Sequence, residues 1–95
     1  MTGPLAGLRI IDASRILTGP FCSMILGDLG AEVIKIERPR TGDDTREWGP
    51  PFIGSESAYF LSVNRNKKSI TLDLDTPDGK KVFYALVAKS DALLE

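Results

Sequence analysis

Two short runs of branched apolar residues, GLRIIDAS at 7–14 and AEVIKIE at 31–37, bracket a segment with helical rhythm, and no other feature limits the fold so strongly. Leu8, Ile10 and Ile11 mark the first run as a buried strand, which ends where Asp12 and Ser14 favour a turn or cap. Thr18 is a cap candidate and Pro20 suits a first helical turn. Phe21, Met24, Ile25 and Leu29 then recur at helical spacing up to a stop at Gly30. Val33, Ile34 and Ile36, with Lys35 and Glu37 interleaved, give the second strand. Strand, short helix and strand within about thirty residues form a βαβ unit, whose strands pair in parallel with a right-handed crossover. The fold class that follows is α/β, with an open, mainly parallel sheet and flanking helices.

Residues 38–57, RPRTGDDTREWGPPFIGSES, turn to Pro, Gly and charge without a sustained period and are expected to form one long loop. Loops of that length inside a compact domain usually carry function, which makes this one a candidate site or interface. AYFLSV at 58–63 is too short for periodicity to separate helix from strand. NRNKK at 64–68 reads as a basic turn, and SITLDL at 69–74 alternates as a third strand. Thr76, Pro77 and Asp78 open the clearest helix, with Val82, Phe83, Leu86 and Val87 on one face. A last strand begins at Asp91. The chain stops on that apolar run, so residues 1–95 are expected to be the N-terminal portion of a larger fold.

Composition removes several classes of function. Twelve Lys and Arg against thirteen Asp and Glu leave a net charge of −1, so nothing global draws a nucleic acid or an acidic membrane. Without histidine there is no imidazole base, no Ser-His or Cys-His pair and none of the commonest zinc ligand, which leaves carboxylates, Lys and Arg to do chemistry. The single cysteine, Cys22, has no internal disulfide partner; it fits a reducing compartment and is expected to be a small buried apolar side chain. No stretch approaches the ~20 apolar residues of a membrane span, and the first residues lack the layout of a signal peptide. A cytoplasmic chain without a membrane partner is expected.

In an open α/β sheet, ligands gather beyond the carboxyl ends of the strands, here Arg15–Gly19, Arg38–Arg46 and Leu72–Asp75. The first group ends at a helix start, where free N–H groups favour an anion. Arg38 suits a phosphate through its planar fork of donors, or else a surface pair with Glu37 or Asp43. Arg65, Lys67 and Lys68 form the dense basic cluster, either a solvated face or a partner for a phosphorylated cofactor. Adjacent Asp43 and Asp44 rarely point at one spot and no EF-hand spacing follows, so no metal site is expected. No GxGxxG or Walker A motif occurs. Trp48 is a packing anchor or an interface aromatic.

The GPF turn, the unit GDLGAEVIKIERP, GDDTR with its tryptophan, and NRNKKSITLDL follow one another in an order and spacing that strongly resemble the amino-terminal segment of family III CoA-transferases. With WGPPF, the chain looks most like the branch that moves CoA between dicarboxylic acids, the succinyl-CoA:glutarate CoA-transferases; formyl-CoA transferases, carnitine CoA-transferases and α-methylacyl-CoA racemases are relatives. The resemblance implies a Rossmann-like, CoA-binding part of a longer homodimeric enzyme that takes an acyl-CoA and a carboxylic acid acceptor. Carried over by position, Leu17 and Thr18 of the first βα turn, Arg38 after strand two, and Leu72, Asp73, Leu74 and Asp75 of strand three would contact CoA, with Arg38 on its phosphates. Thr18 stands where alanine is common in the family, and Asp75 where many members carry lysine. The family's reaction runs through an aspartyl-CoA intermediate on an aspartate beyond the matched region. None of Asp12, Asp28, Asp43 or Asp44 inherits that role, and the 95-residue chain alone is expected to be inactive. A racemase segment and a non-catalytic CoA-binding or dimerisation fragment are the alternatives, and the acid-base pair that a racemase needs would lie downstream.

Overall fold

The computed structural model describes residues 2–95. Along the chain come β1 (Arg9–Asp12), α1 (Thr18–Asp28), β2 (Glu32–Glu37), a 3-10 turn (Asp44–Glu47), β3 (Phe52–Ile53), β4 (Glu56–Ser57), α2 (Ala58–Val63), β5 (Lys67–Thr71), α3 (Pro77–Ala88) and β6 (Ala92–Leu94). The main sheet runs β5-β2-β1-β6, and every pair in it is parallel. Counting those four strands alone in chain order, the sheet reads 3-2-1-4, the order that opens a doubly wound α/β fold.

β1 and β2 lie in the interior of this sheet, which is why their apolar runs are so dense. Ile10 faces Val33 across the ladder and Ile11 faces Ile34. Ile10, Ala31 and Val33 form the centre of the core, with Leu5, Leu26 and Leu94 packed against it. Taking a side chain the size of Ile10 or Val33 fully out of water contributes about 1.5–3 kcal/mol.

The third strand differs from the sequence reading. β5 begins at Lys67 and ends at Thr71, so part of the expected basic turn is strand, and Leu72–Asp75 lies beyond the strand end rather than inside it. Pairing is the reason: β2 offers a ladder from Val33 opposite Lys67 to Glu37 opposite Thr71, and one last bond carries the Leu72 N–H to the Glu37 carbonyl at 3.0 Å. The Asp73 carboxylate then accepts the Asp75 N–H at 3.0 Å, an Asx turn that ends the extended run.

The expected long loop also carries structure. Asp43 caps the 3-10 turn, and β3 and β4 close a hairpin over Gly54, whose φ of +62° suits a residue without a Cβ. The undecided AYFLSV becomes α2, because the Ser57 hydroxyl caps it by accepting the Phe60 N–H at 3.3 Å.

α1 begins without a side-chain cap: Leu17 holds the N-cap position and Thr18 is the first helical residue. The helix buries Pro20, Ser23, Met24 and Gly27. Phe21, Ile25 and Leu29, which the periodicity placed on the packed face with Met24, are instead 49%, 43% and 41% exposed, in one row with Leu17. Small Ser23 and Gly27 turn inward because Gly27 packs against Asn66 and Val33. Cys22 is exposed as well, contrary to expectation. α3 starts as its sequence indicates, with the Thr76 hydroxyl accepting the Gly79 N–H at 3.0 Å, but Val82 faces solvent and Phe83, Leu86 and Val87 are only half-buried.

Candidate functional site

A cleft of about 710 Å³ opens past the carboxyl ends of β1, β2 and β5. Arg15 comes to it from the loop after β1, Arg38 and Arg40 from the loop after β2, and Leu72 through Asp75 from the segment after β5. Five residues nominated from sequence, Arg38, Leu72, Asp73, Leu74 and Asp75, are thereby brought to one wall system. Leu17 and Thr18 are exposed at the start of α1 and do not line the cleft. Arg15 and Arg40 do; both lie in segments that the strand-end rule marks, and no motif distinguishes either of them in the sequence.

Arg38 takes up neither of the pairings expected from its neighbours. Its Nε and Nη2 donate to the Gly42 carbonyl at 3.2 and 3.1 Å, and Nη2 also meets the Asp44 carboxylate. Asp44 lies 3.9 Å from Arg15 Nη1 as well, so one exposed carboxylate sits between two arginines of the cleft. All three guanidiniums carry a fixed positive charge, and a planar fork of donors fits the oxygens of a phosphate.

Beneath the cleft lies a network of charges that no spacing rule revealed. Lys35 is 1% exposed and its Nζ is 2.9 Å from Asp43 Oδ2, while the other Asp43 oxygen accepts the Thr45 N–H and hydroxyl at 2.9 and 2.8 Å. The Asp43 N–H donates to Glu37 Oε1 at 3.0 Å, and Arg46 grips the same carboxylate with Nε and Nη2 at 2.6 and 2.7 Å. Arg46 also stacks over Phe60, its Cζ 3.9 Å from the ring centroid. Burial pushes the Glu37 carboxyl up, but Arg46, Ser69 and the Asp43 N–H outweigh it and hold it down at about 2. For Asp43, burial is likewise overcome by Thr45 and Lys35, so its carboxyl also sits below the usual range.

On the other side of Lys35, Asp12 is wholly buried and accepts from Ser14 N–H at 2.8 Å, from the hydroxyls of Ser14 and Ser23, and from Lys67 Nζ at 3.1 Å. Burial raises its carboxyl less than these donors lower it. Burial in turn pushes the Lys67 ammonium down, against the pull of Asp12. The basic cluster therefore does not act as one surface: Lys67 points inward, Arg65 pairs with Asp28 at 2.7 Å, and Lys68 pairs with Glu32 at 3.0 Å. Among the described residues, every buried side-chain nitrogen or oxygen has a partner, and no group of three or more acidic or cysteine side chains converges as metal ligands would. Asp43 and Asp44 turn to different partners. Trp48 is 44% exposed and meets Tyr59 edge-on at 5.1 Å. No helix among the described residues is long and apolar enough to cross a membrane.

Comparison with known proteins adds a second line of observation. The sequence profile of CoA-transferase family III matches residues 5–95. A succinyl-CoA:glutarate CoA-transferase of Homo sapiens is 60% identical over 92 residues, which is 97% of this chain and 21% of the human protein. A succinate–glutarate CoA-transferase of Agrobacterium fabrum is 46% identical over 98 residues, covering 97% of this chain and 24% of its own length. Among solved structures, a CAIB/BAIF family protein from Brucella suis superposes with a TM-score of 0.92 at 47% identity, over 98% of this chain and 25% of that one. The chain thus spans between a fifth and a quarter of the length of these relatives.

Proposed function

Because this chain belongs to CoA-transferase family III, we propose that its cleft binds coenzyme A and that it forms the CoA-binding N-terminal part of an enzyme moving CoA between carboxylic acids. The observation that carries this is the convergence of Arg15, Arg38 and Arg40 with half-buried Leu72 and Leu74 past the ends of three parallel strands. Guanidiniums suit the phosphates of CoA, and leucines suit the apolar parts of its adenosine and pantetheine. Leu17 and Thr18, outside the cleft at the helix start, would be reached only by the distal part of the ligand. Asp75 adds a negative charge to the rim, so the phosphates belong on the Arg38 side. Dicarboxylic acids are the proposed donors and acceptors, because the human and Agrobacterium relatives are a succinyl-CoA:glutarate and a succinate–glutarate CoA-transferase.

In the proposed chemistry an aspartate carboxylate attacks the thioester carbonyl, releasing CoA thiolate and leaving a mixed anhydride. The thiolate then attacks the aspartyl carbonyl, releasing the donor acid, and the acceptor carboxylate repeats the exchange in reverse order. Asp12 and Asp43 are buried and committed to Lys67 and Lys35, and Asp28 and Asp44 to Arg65 and Arg38, so none of these four is free to be that nucleophile. An aspartate outside these 95 residues and an inactive isolated chain belong to the same proposal. A homodimer of the longer protein belongs to the same proposal, supported by the solvent-facing apolar row on α1. A cytoplasmic location is proposed too, since the exposed, unpaired Cys22 suits a reducing compartment. Titrating CoA against the chain and its Arg38→Ala variant tests the binding: about tenfold weaker affinity for the variant is expected from the loss of charge-assisted bonds. Equal affinity, or no binding by the parent chain, overturns it.

A further inference from the structure

The loop after β1 passes through Ile16 at a φ of +77°. A β-branched residue in left-handed backbone is held against its own steric preference and persists only where its surroundings over-determine it. Asp43 is the holder, because its Oδ2 accepts the Ile16 N–H at 3.2 Å. The same oxygen carries the ion pair to Lys35, and Lys35 Nζ also donates to the Ser14 carbonyl at 3.1 Å. Asp43 and Lys35 together therefore tie the loop after β1 at Ser14 and at Ile16. Arg15 is the residue between the two ties, and it lines the cleft together with Arg38 and Arg40.

We propose that Asp43 is a positioning residue for the anion site: by holding Ile16 in left-handed backbone it sets where Arg15 meets a phosphate-bearing ligand. The identity of that ligand as CoA rests on the function proposed above; the backbone restraint does not. Asp43 touches no ligand in this scheme and acts through Ile16 and Arg15.

The test compares the parent chain with Asp43→Asn, and with Lys35→Met/Asp43→Asn in case the lone Lys35 charge prevents folding. Amide exchange is followed at Ile16, with the core strand amides of Ile11 and Val33 as internal standards, alongside a CoA titration. In a folded variant, Ile16 exchange is expected to rise at least about tenfold relative to the standards, and CoA affinity to fall about tenfold. Adding Ile16→Gly, which adopts positive φ freely, is expected to restore affinity to within about threefold of the parent, a rescue that a purely structural role for Asp43 would not permit. Unchanged exchange at Ile16, or an affinity loss that Ile16→Gly leaves untouched, overturns the proposal. If the parent chain binds no CoA, the function proposed above fails while the Ile16 exchange still decides the restraint.

Discussion

The Lys35 ammonium and the Asp43 carboxylate lie 2.9 Å apart with side chains only 2% and 0% exposed, a complete ion pair sealed under the rim of the cleft. Two charges withdrawn from water this fully are tolerable only as a pair. Lys35→Met or Asp43→Leu alone strands the partner and is expected to cost about 3–5 kcal/mol, while the double substitution costs clearly less than the sum of the two. Urea unfolding of the three variants measures this. Additive losses would mean that the pair contributes nothing as a pair.

Acid should loosen the same region through Glu37. Its folded value of about 2 lies below the usual 4.5, so its contribution is complete above about pH 5 and disappears as pH falls through 4.5 towards 2. The shift corresponds to at most ~3 kcal/mol, and the one-third exposure of the Arg46 side chain reduces that to ~2 kcal/mol. Asp12 and Asp43, also held low, act with the same sign. Unfolding free energy measured from pH 6 to pH 2 should fall more steeply in the parent than in Glu37→Gln; parallel curves would remove Glu37 from this role.

What the sequence disclosed and what it concealed follow one physical line. β1, β2 and the start of α3 were legible because each rests on local chemistry: branched apolar runs, and the Thr76 cap ahead of Pro77. Lys35 was not. An isolated lysine among Val33, Ile34 and Ile36 looks like the solvent face of a strand, and only the return of Asp43 over β2 makes that face interior. The burial of Lys67, named in the sequence only as part of a basic cluster, was hidden for the same reason, since its partner Asp12 lies 55 residues away in sequence. The cleft was legible in outline from the strand-end rule, and Arg15 and Arg40 fell within its marked segments. The weight of Asp43 was not, because the Ile16 N–H that its carboxylate accepts lies 27 residues away in sequence.

The reversal of the α1 face gives a direct test of packing. Phe21 and Ile25 are each more than 40% exposed, whereas Met24 is 4% exposed. Phe21→Gln and Ile25→Gln in this chain are expected to change stability by no more than about 0.5 kcal/mol, against about 2–5 kcal/mol for Met24→Ala. Thermal unfolding of the three variants decides it. A loss for Phe21→Gln equal to that for Met24→Ala would return Phe21 to the core.

The rim segment Leu72–Asp75 is fixed from below by a residue outside the cleft. A Cβ on Gly79 would fall on the Asp73 carbonyl oxygen, so the first turn of α3 can rest against this segment only through glycine. That carbonyl also accepts the Thr76 N–H at 3.1 Å and the Thr76 hydroxyl at 2.8 Å, so it cannot retreat without loosening the helix cap. Gly79→Ala, a favourable exchange in an ordinary exposed helix, is here expected to cost about 1–3 kcal/mol and to weaken CoA binding by moving Asp73. Lys80→Ala, one residue on and exposed, serves as the control and should change neither. Gly79→Ala with unchanged stability and unchanged affinity would show that α3 does not set the rim.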